Sequence, residues 1–282
     1  MRIKHITLAV AAAVLGSALT AGCGTPTVPA PKVISSATVA GGKLTIGIDE
    51  DQPGLGFKNP DGSLSGFDYE TAKYVAGALG VQPADITWVE ATPDNREKLL
   101  ENGSVQLVFS TYSITDERKQ VVDFAGPYFE AHQSLLVRLD DDTITGPTTL
   151  HRKVLCSVIG TTSAKYIEDH YKGDITLREY PRFSDCVAAL AAGDVDAVST
   201  DDVILAGYAA SKQYQGKLKV VGDGFTDELY GVGVRKGDTA MVDRVNAALT
   251  QYIDSGAWKK ALEKTVGPSG YSIPAAPTPG TE

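Results

Sequence analysis

Histidine, cysteine, methionine and tryptophan are all scarce in this chain: four, three, two and two among 282 residues. The histidines are scattered, and His132, His151 and His170 fall in no HExxH-type or Cys-His spacing, so no metal centre is expected. Basic charge is in deficit, with 26 Lys and Arg against 35 Asp and Glu, a net charge of −9. No basic stripe relieves that deficit, which excludes nucleic acid as a partner and leaves any anionic ligand to local groups. Past residue 22 no apolar run is long enough to span a bilayer. No feature calls for a cofactor. What remains is a chain with 43% hydrophobic residues, long enough for two compact domains.

Residues 1–22 carry Arg2 and Lys4, then an apolar run from Ile6 to Ala21, and end on small residues. This reads as a secretory signal peptide rather than a spanning helix. Its removal takes the net charge from −9 to −11. Cys23, directly after Ala21-Gly22, resembles the acylated cysteine of bacterial lipoproteins, which becomes the new N-terminus. Residues 23–39, with Pro26, Pro29 and Pro31, then form a flexible tether of up to roughly 50 Å. In an exported chain the two other cysteines, Cys156 and Cys186, are expected to form one disulfide.

From Gly42 onward strand-like and helix-like segments alternate. Residues 43–48 read as a strand and 66–80 as an amphipathic helix with Thr71, Ala72, Val75, Ala76 and Leu79 on one face. Residues 86–90 form a strand, Thr92-Pro93 opens a helix that ends at Gly103, and 105–109 form another strand. This βαβαβ run implies a parallel sheet. A second α/β cycle follows Leu150, with strands at 153–158, 175–180, 197–200 and 218–221, helices between them, and a turn 160–163 whose free N–H groups favour an anionic ligand group. An extended segment 230–235 and two helices, 239–255 and 257–266, close the chain. The Pro-rich residues 268–282 read as a disordered tail. The fold class is α/β with two lobes: 40–127 plus 230–267 as the first, 133–224 as the second, and hinges at 128–132 and 225–229.

The segment Phe109 to Lys119, FSTYSITDERK, is the centre of the functional argument. A strand runs into a loop of small hydroxyl residues and then into a short charged helix bearing Arg118. Ligands collect outside the carboxyl ends of strands in open α/β sheets, and a guanidinium one turn beyond suits a carboxylate. The alternative is an ordinary strand-to-helix connection with Thr115 as N-cap and a solvated first turn.

Taken together, GFDYETAKYVAGALG, SITDERKQVVDFAGPYF, GTTSAKY, DVDAVSTDD and YGVGVRKGD resemble, in that order, the family 3 extracellular solute-binding proteins, which feed polar amino acids to ABC importers. Similarity runs over roughly residues 43–267, and QPGLGFKNPDG, TYSITDERK and STDDVILAGYAA look like the branch of actinobacterial glutamate-binding lipoproteins. The resemblance implies a two-lobed periplasmic-binding-protein type II fold (a Venus flytrap) with two crossing hinge strands, acting as a monomer with ABC permease subunits as partners. It implies that Arg118 holds a ligand α-carboxylate, helped by Ser113 and by Thr161 or Thr162. Asp201, with Thr111 and Ser113, would hold the α-ammonium. A zwitterion leaving water needs both charges matched, and a ligand bonded to both lobes biases the hinge toward closure.

Side-chain specificity rests on Arg96, at a position resembling the one where an aspartate/glutamate-binding branch holds the distal carboxylate; its other reading is a solvated helix residue. Asp49, Glu50 and Asp51 would repel an acidic ligand unless they point away or orient Arg96 or Lys58. Phe57, Tyr112 and Phe183 are candidates to line the ligand's aliphatic part. Glutamate is favoured, with glutamine, asparagine and aspartate as alternatives. An enzyme on this fold would need a general acid or base over the ligand, and no His lies in the cleft motifs. A sensor feeding a membrane kinase stays open.

Overall fold

The structure, a computed structural model, describes residues 29–34, 39–171 and 173–281. The signal peptide and Cys23 lie outside these residues. Strand β1 (Leu44–Ile48) buries every side chain but Thr45, as a central strand covered on both faces must. A short hairpin follows, β2 (Phe57–Lys58) with β3 (Leu64–Ser65), and then helix α1 (Phe67–Ala78), β4 (Ile86–Glu90), α2 (Arg96–Glu101) and β5 (Leu107–Phe109). Strand β1 lies between β4 and β5 and parallel to both, as the βαβαβ pattern requires. On α1 the spacing is realised: Thr71, Ala72, Val75, Ala76 and Leu79 are all buried.

The chain continues through β6 (Val122–Ala131) and β7 (Gln133–Arg138), then β8 (Val154–Val158), α3 (Thr162–Tyr171), β9 (Thr176–Tyr180), α4 (Phe183–Ala192), β10 (Ala197–Asp201), α5 (Asp202–Ala210), β11 (Leu218–Val221) and β12 (Glu228–Arg235). Helices α6 (Thr239–Asp254) and α7 (Ala257–Thr265) end the ordered helical part. Two five-stranded sheets result, β4-β1-β5-β12-β6 and β11-β7-β10-β8-β9. Because β12 pairs antiparallel with both β5 and β6, the chain leaves the first sheet at His132 and returns to it after β11. This is the two-lobed α/β fold expected above. The pairing of Glu228 with Ala131 carries the first sheet up to the crossing, which leaves His132 and residues 222–227 as the unpaired connections. There Asp202 N donates to His132 O at 2.8 Å and Phe225 N to Gln133 O at 3.0 Å.

Four local expectations change. Helix α2 starts at Arg96, not at Thr92-Pro93, because Thr92 turns its hydroxyl onto the Asp94 carboxylate and holds 92–95 as a turn. Arg118 sits in a single 3-10 turn, Arg118–Gln120, rather than a helix. The Pro-rich end is not a free tail. Tyr271 packs against Phe129 with ring centroids 6.4 Å apart and donates its hydroxyl to Asp202 Oδ1 at 3.0 Å, while Gly280 N reaches Gly126 O at 2.6 Å. One aromatic ring and Ile273, packed on the core, are enough apolar anchorage to hold a segment whose composition alone predicts disorder. The described part of the tether is docked as well: Lys32 N donates to Gln251 Oε1 at 2.9 Å and Ile34 N to Ala78 O at 2.9 Å. The disulfide forms as expected, joining Cys156 on β8 to Cys186 on α4 with the Cα atoms 5.5 Å apart.

Candidate functional site

Between the two sheets lies a narrow crevice. Pro93, Arg96, Thr111 and Ser113 reach it from the first lobe, and Thr161, Thr162, Ser163, Phe183, Thr200, Asp201 and Ile204 from the second. Most are polar, and they lie near strand ends, in turns or at helix starts, so the crevice has the placement that open α/β sheets give their ligands.

Asp201 is the last residue of β10 and caps α5, and only 4% of it is exposed. Its Oδ2 accepts the Tyr230 hydroxyl at 2.5 Å and its Oδ1 the Ser163 hydroxyl at 3.5 Å. Burial raises the carboxyl well above its ordinary range and the nearby Glu228 adds to this, while the Tyr230 hydrogen bond and the charge of Arg118 act the other way. An ammonium group placed in the crevice would remove that penalty.

The opposite wall carries two guanidiniums set around one tyrosine. Arg96 is only 2% exposed and lies 4.0 Å from the centroid of the buried Tyr112 ring, and Arg118 lies 5.2 Å from it. Arg96 Nη1 donates to Ser110 O at 2.7 Å, while its buried Nε has no hydrogen-bond partner. Glu97 Oε1 serves as shared counter-charge: it accepts the Tyr112 hydroxyl at 2.7 Å and lies 3.6 Å from Arg118 Nε and 4.0 Å from Arg96 Nε. Arg118 donates from Nη1 to Ser113 O at 2.7 Å and from Nη2 to Gly160 O at 3.0 Å, so its fork spans both lobes at the mouth of the crevice. Burial, then the charge of Arg96, lower its pKa to about 10.

Thr111 adopts φ 41°, uncommon for a β-branched residue, and its N–H donates to Asp68 Oδ2 at 2.8 Å. Asp68, wholly buried, also accepts the Tyr128 hydroxyl at 2.8 Å, so α1 holds the loop in that conformation from behind. On the second lobe Thr161 caps α3, its hydroxyl accepting from Ala164 N at 3.0 Å, and the Thr162 hydroxyl donates to Glu228 Oε2 at 2.9 Å.

A sequence model of the bacterial extracellular solute-binding proteins, family 3, matches residues 44–268. The chain belongs to that family. It is 41% identical over 254 residues to the glutamate-binding protein GluB of Corynebacterium glutamicum, covering 86% of this chain and 85% of that protein. It is 33% identical to the ABC transporter glutamine-binding protein GlnH of Bacillus subtilis, over 79% of this chain and 81% of the relative. Among solved structures, an ancestral arginine-binding protein bound to glutamine superposes with a TM-score of 0.74 at 34% identity, covering 80% of this chain and 98% of that one. These relatives are binding proteins, and this family 3 protein is likewise an amino-acid-binding protein rather than an enzyme.

In this family 3 protein the structure brings Arg96, Thr111, Ser113, Thr161, Thr162, Phe183 and Asp201 to one crevice and places Arg118 at the mouth beside them. Asp49 and Phe57 do not reach the crevice wall. Asp49 turns inward, accepts from Asp51 N at 2.7 Å and lies 3.4 Å from Gln52 Nε2; burial raises its pKa to about 7 against the opposing effects of the Asp51 N–H bond and the charge of Arg96. Phe57 sits half-buried in β2. Glu50 pairs with Lys58 at 2.7 Å, and the Asp51 carboxylate accepts from Ser184 N at 2.9 Å, so the acidic trio points away from the crevice. Sequence reasoning missed Asp68, Glu97, Tyr230 and Glu228. Asp68 had a readable signal, an acid three residues before Thr71 on the apolar face of α1; the other three reach the site only through tertiary contacts. At the crossing, the half-buried Glu130 and His132 and the exposed Asp227 bring ligand atoms within 4.8 Å of one another.

Proposed function

We propose that this protein captures an acidic amino acid, glutamate above all, between its lobes, and delivers it to the permease of an ABC importer while anchored to the outer face of the cytoplasmic membrane by a lipid on Cys23. The observation that carries the reading is the pair of opposed, buried charges: Asp201 on one wall and, on the other, Arg96, whose buried Nε makes no hydrogen bond. The α-ammonium then lies on Asp201, with the Thr111 and Ser113 hydroxyls beside it. The α-carboxylate lies at Arg118 and the start of α3, and the distal carboxylate at Arg96. Phe183 packs on the aliphatic stem. The glutamate-binding relative supports this choice. Glutamine is the second reading, favoured by the glutamine-binding relative and the glutamine-bound structural neighbour.

Calorimetry of the secreted protein against the twenty common amino acids tests both. Glutamate is expected to bind most tightly, and Arg118→Ala to abolish binding of every amino acid. A tighter neutral or basic ligand would overturn the glutamate reading. Cys23→Ser is expected to release the protein from the membrane into the medium, and retention would refute the anchor.

A further inference from the structure

Outside the crevice, the loop after β1 meets α4 and α5 of the other lobe. Asp51 Oδ2 accepts from Ser184 N at 2.9 Å and from the Tyr208 hydroxyl at 3.0 Å, and the same hydroxyl lies against the Asp51 carbonyl. Beside these bonds Gly207, inside α5, packs so closely on the loop that a Cβ there would lie 2.1 Å from Pro53 O. Neither Asp51, Tyr208 nor Gly207 lines the crevice. The nearby ion pair of Glu90 with Arg182 also joins the lobes, but its side chains are 35% and 40% exposed, so it counts for little.

We infer that Asp51, Tyr208 and the Ser184 N–H form a closure latch that sets affinity for all ligands alike, and that Gly207 is glycine because closure brings Pro53 onto it. The inference rests on the reading that ligand closes the lobes. The physical argument is one of populations. Ligand affinity is the intrinsic affinity of the closed form scaled by how readily the lobes close. Bonds that exist only between lobes change that scaling without touching the ligand. Two hydrogen bonds to a carboxylate, each stronger than a neutral pair, move the closure equilibrium by about two to four orders of magnitude. Selectivity between ligands stays where the crevice sets it.

Gly207→Ala separates a latch from a merely structural role, because the two act with opposite sign. Alanine is the better residue inside a helix, so the ligand-free variant is expected to melt at or above the wild-type temperature. The methyl group nevertheless blocks full closure, so the Kd for L-glutamate and that for L-glutamine are expected to rise by about 100-fold or more, by equal factors. Tyr208→Phe, which removes the hydroxyl without leaving a cavity, is expected to raise both by about tenfold. Small-angle scattering supplies the second readout: saturating glutamate contracts the wild type and leaves Gly207→Ala extended. Wild-type affinity and contraction in Gly207→Ala would overturn the latch, as would unequal losses for the two ligands. Should the wild type bind another of the twenty amino acids more tightly, the glutamate reading falls and the same variants are read with that amino acid.

Discussion

Tyr230, on β12 of the first lobe, donates its hydroxyl at 2.5 Å to Oδ2 of Asp201, at the end of β10 in the second. A neutral donor on a buried carboxylate favours the charged form, which is the form that an ammonium ligand needs. The bond therefore works against the burial that raises the Asp201 pKa. It also places the acceptor for the ligand under the control of the opposite lobe.

Tyr230→Phe is expected to weaken amino-acid binding by about 10- to 100-fold, the worth of one hydrogen bond to a charged group. The pH dependence has a definite sign. Asp201 is protonated at low pH, its pKa being raised, and ligand binding must release that proton. Affinity should rise with pH until the free carboxyl is ionised, and the variant should reach its plateau at higher pH than the wild type. Calorimetry across a pH series in two buffers of different ionisation heat measures both effects; a flat wild-type profile contradicts this role for Asp201.

Arg96→Gln is expected to cost glutamate at least 100-fold in affinity and glutamine less than tenfold. The guanidinium is 2% exposed, so a carboxylate beside it is screened little by water. Competition binding with the two amino acids gives the ratio. Equal losses would remove Arg96 from the distal pocket and leave it as the partner of Tyr112 and Asp49.

Ligand-free stability should fall as pH rises from about 4 towards neutrality, the span between the unfolded and folded pKa values of two buried acids. Asp49 and Asp68 have pKa values raised by burial from 3.8 to about 7 and about 6. Between the unfolded and folded values the native state holds protons that the unfolded chain has released. Their stabilising share is therefore complete below the unfolded pKa and is lost as pH climbs through the folded values, by an amount on the order of a few kcal/mol. Melting curves should show the decline, and Asp49→Asn should flatten its upper part. An unchanged slope in that variant would assign the effect elsewhere.

Reducing the Cys156–Cys186 bond should destabilise the second lobe. The two residues are 30 apart in sequence, and closing a loop of that size contributes about 3 to 4 kcal/mol in the chain-entropy model. Thermal melts with and without reductant measure it. Because the bond lies within one lobe, ligand selectivity should not change.

Much of the architecture was legible before any coordinates. Hydrophobic spacing at Thr71, Ala72, Val75, Ala76 and Leu79 located α1 and its buried face, since a helix must turn its apolar stripe to the core. The family resemblance of the ordered motifs implied a common site for Ser113, Thr161, Thr162 and Asp201, and these residues do line one crevice. Boundaries were less legible: the Thr92–Asp94 side-chain bond delayed α2, and the contacts of Tyr271 ordered a tail whose composition reads as disordered. The first is a single side-chain bond and the second a few anchoring contacts, and each outweighs a local tendency.

The amino-acid order alone determined the class of element at each point, the alternation that makes two α/β lobes, the pairing of two exported cysteines, and the residue types able to meet a zwitterion. Those follow from local periodicity and from chemistry that each side chain carries with it. Only the tertiary structure decided which way the acidic trio Asp49, Glu50 and Asp51 faces, that two arginines around Tyr112 share the single counter-charge of Glu97, and that Tyr230 reaches Asp201 across the cleft. Such relations depend on the direction of a side chain and on groups far apart in sequence, and both are set when the lobes pack, not when the chain is written.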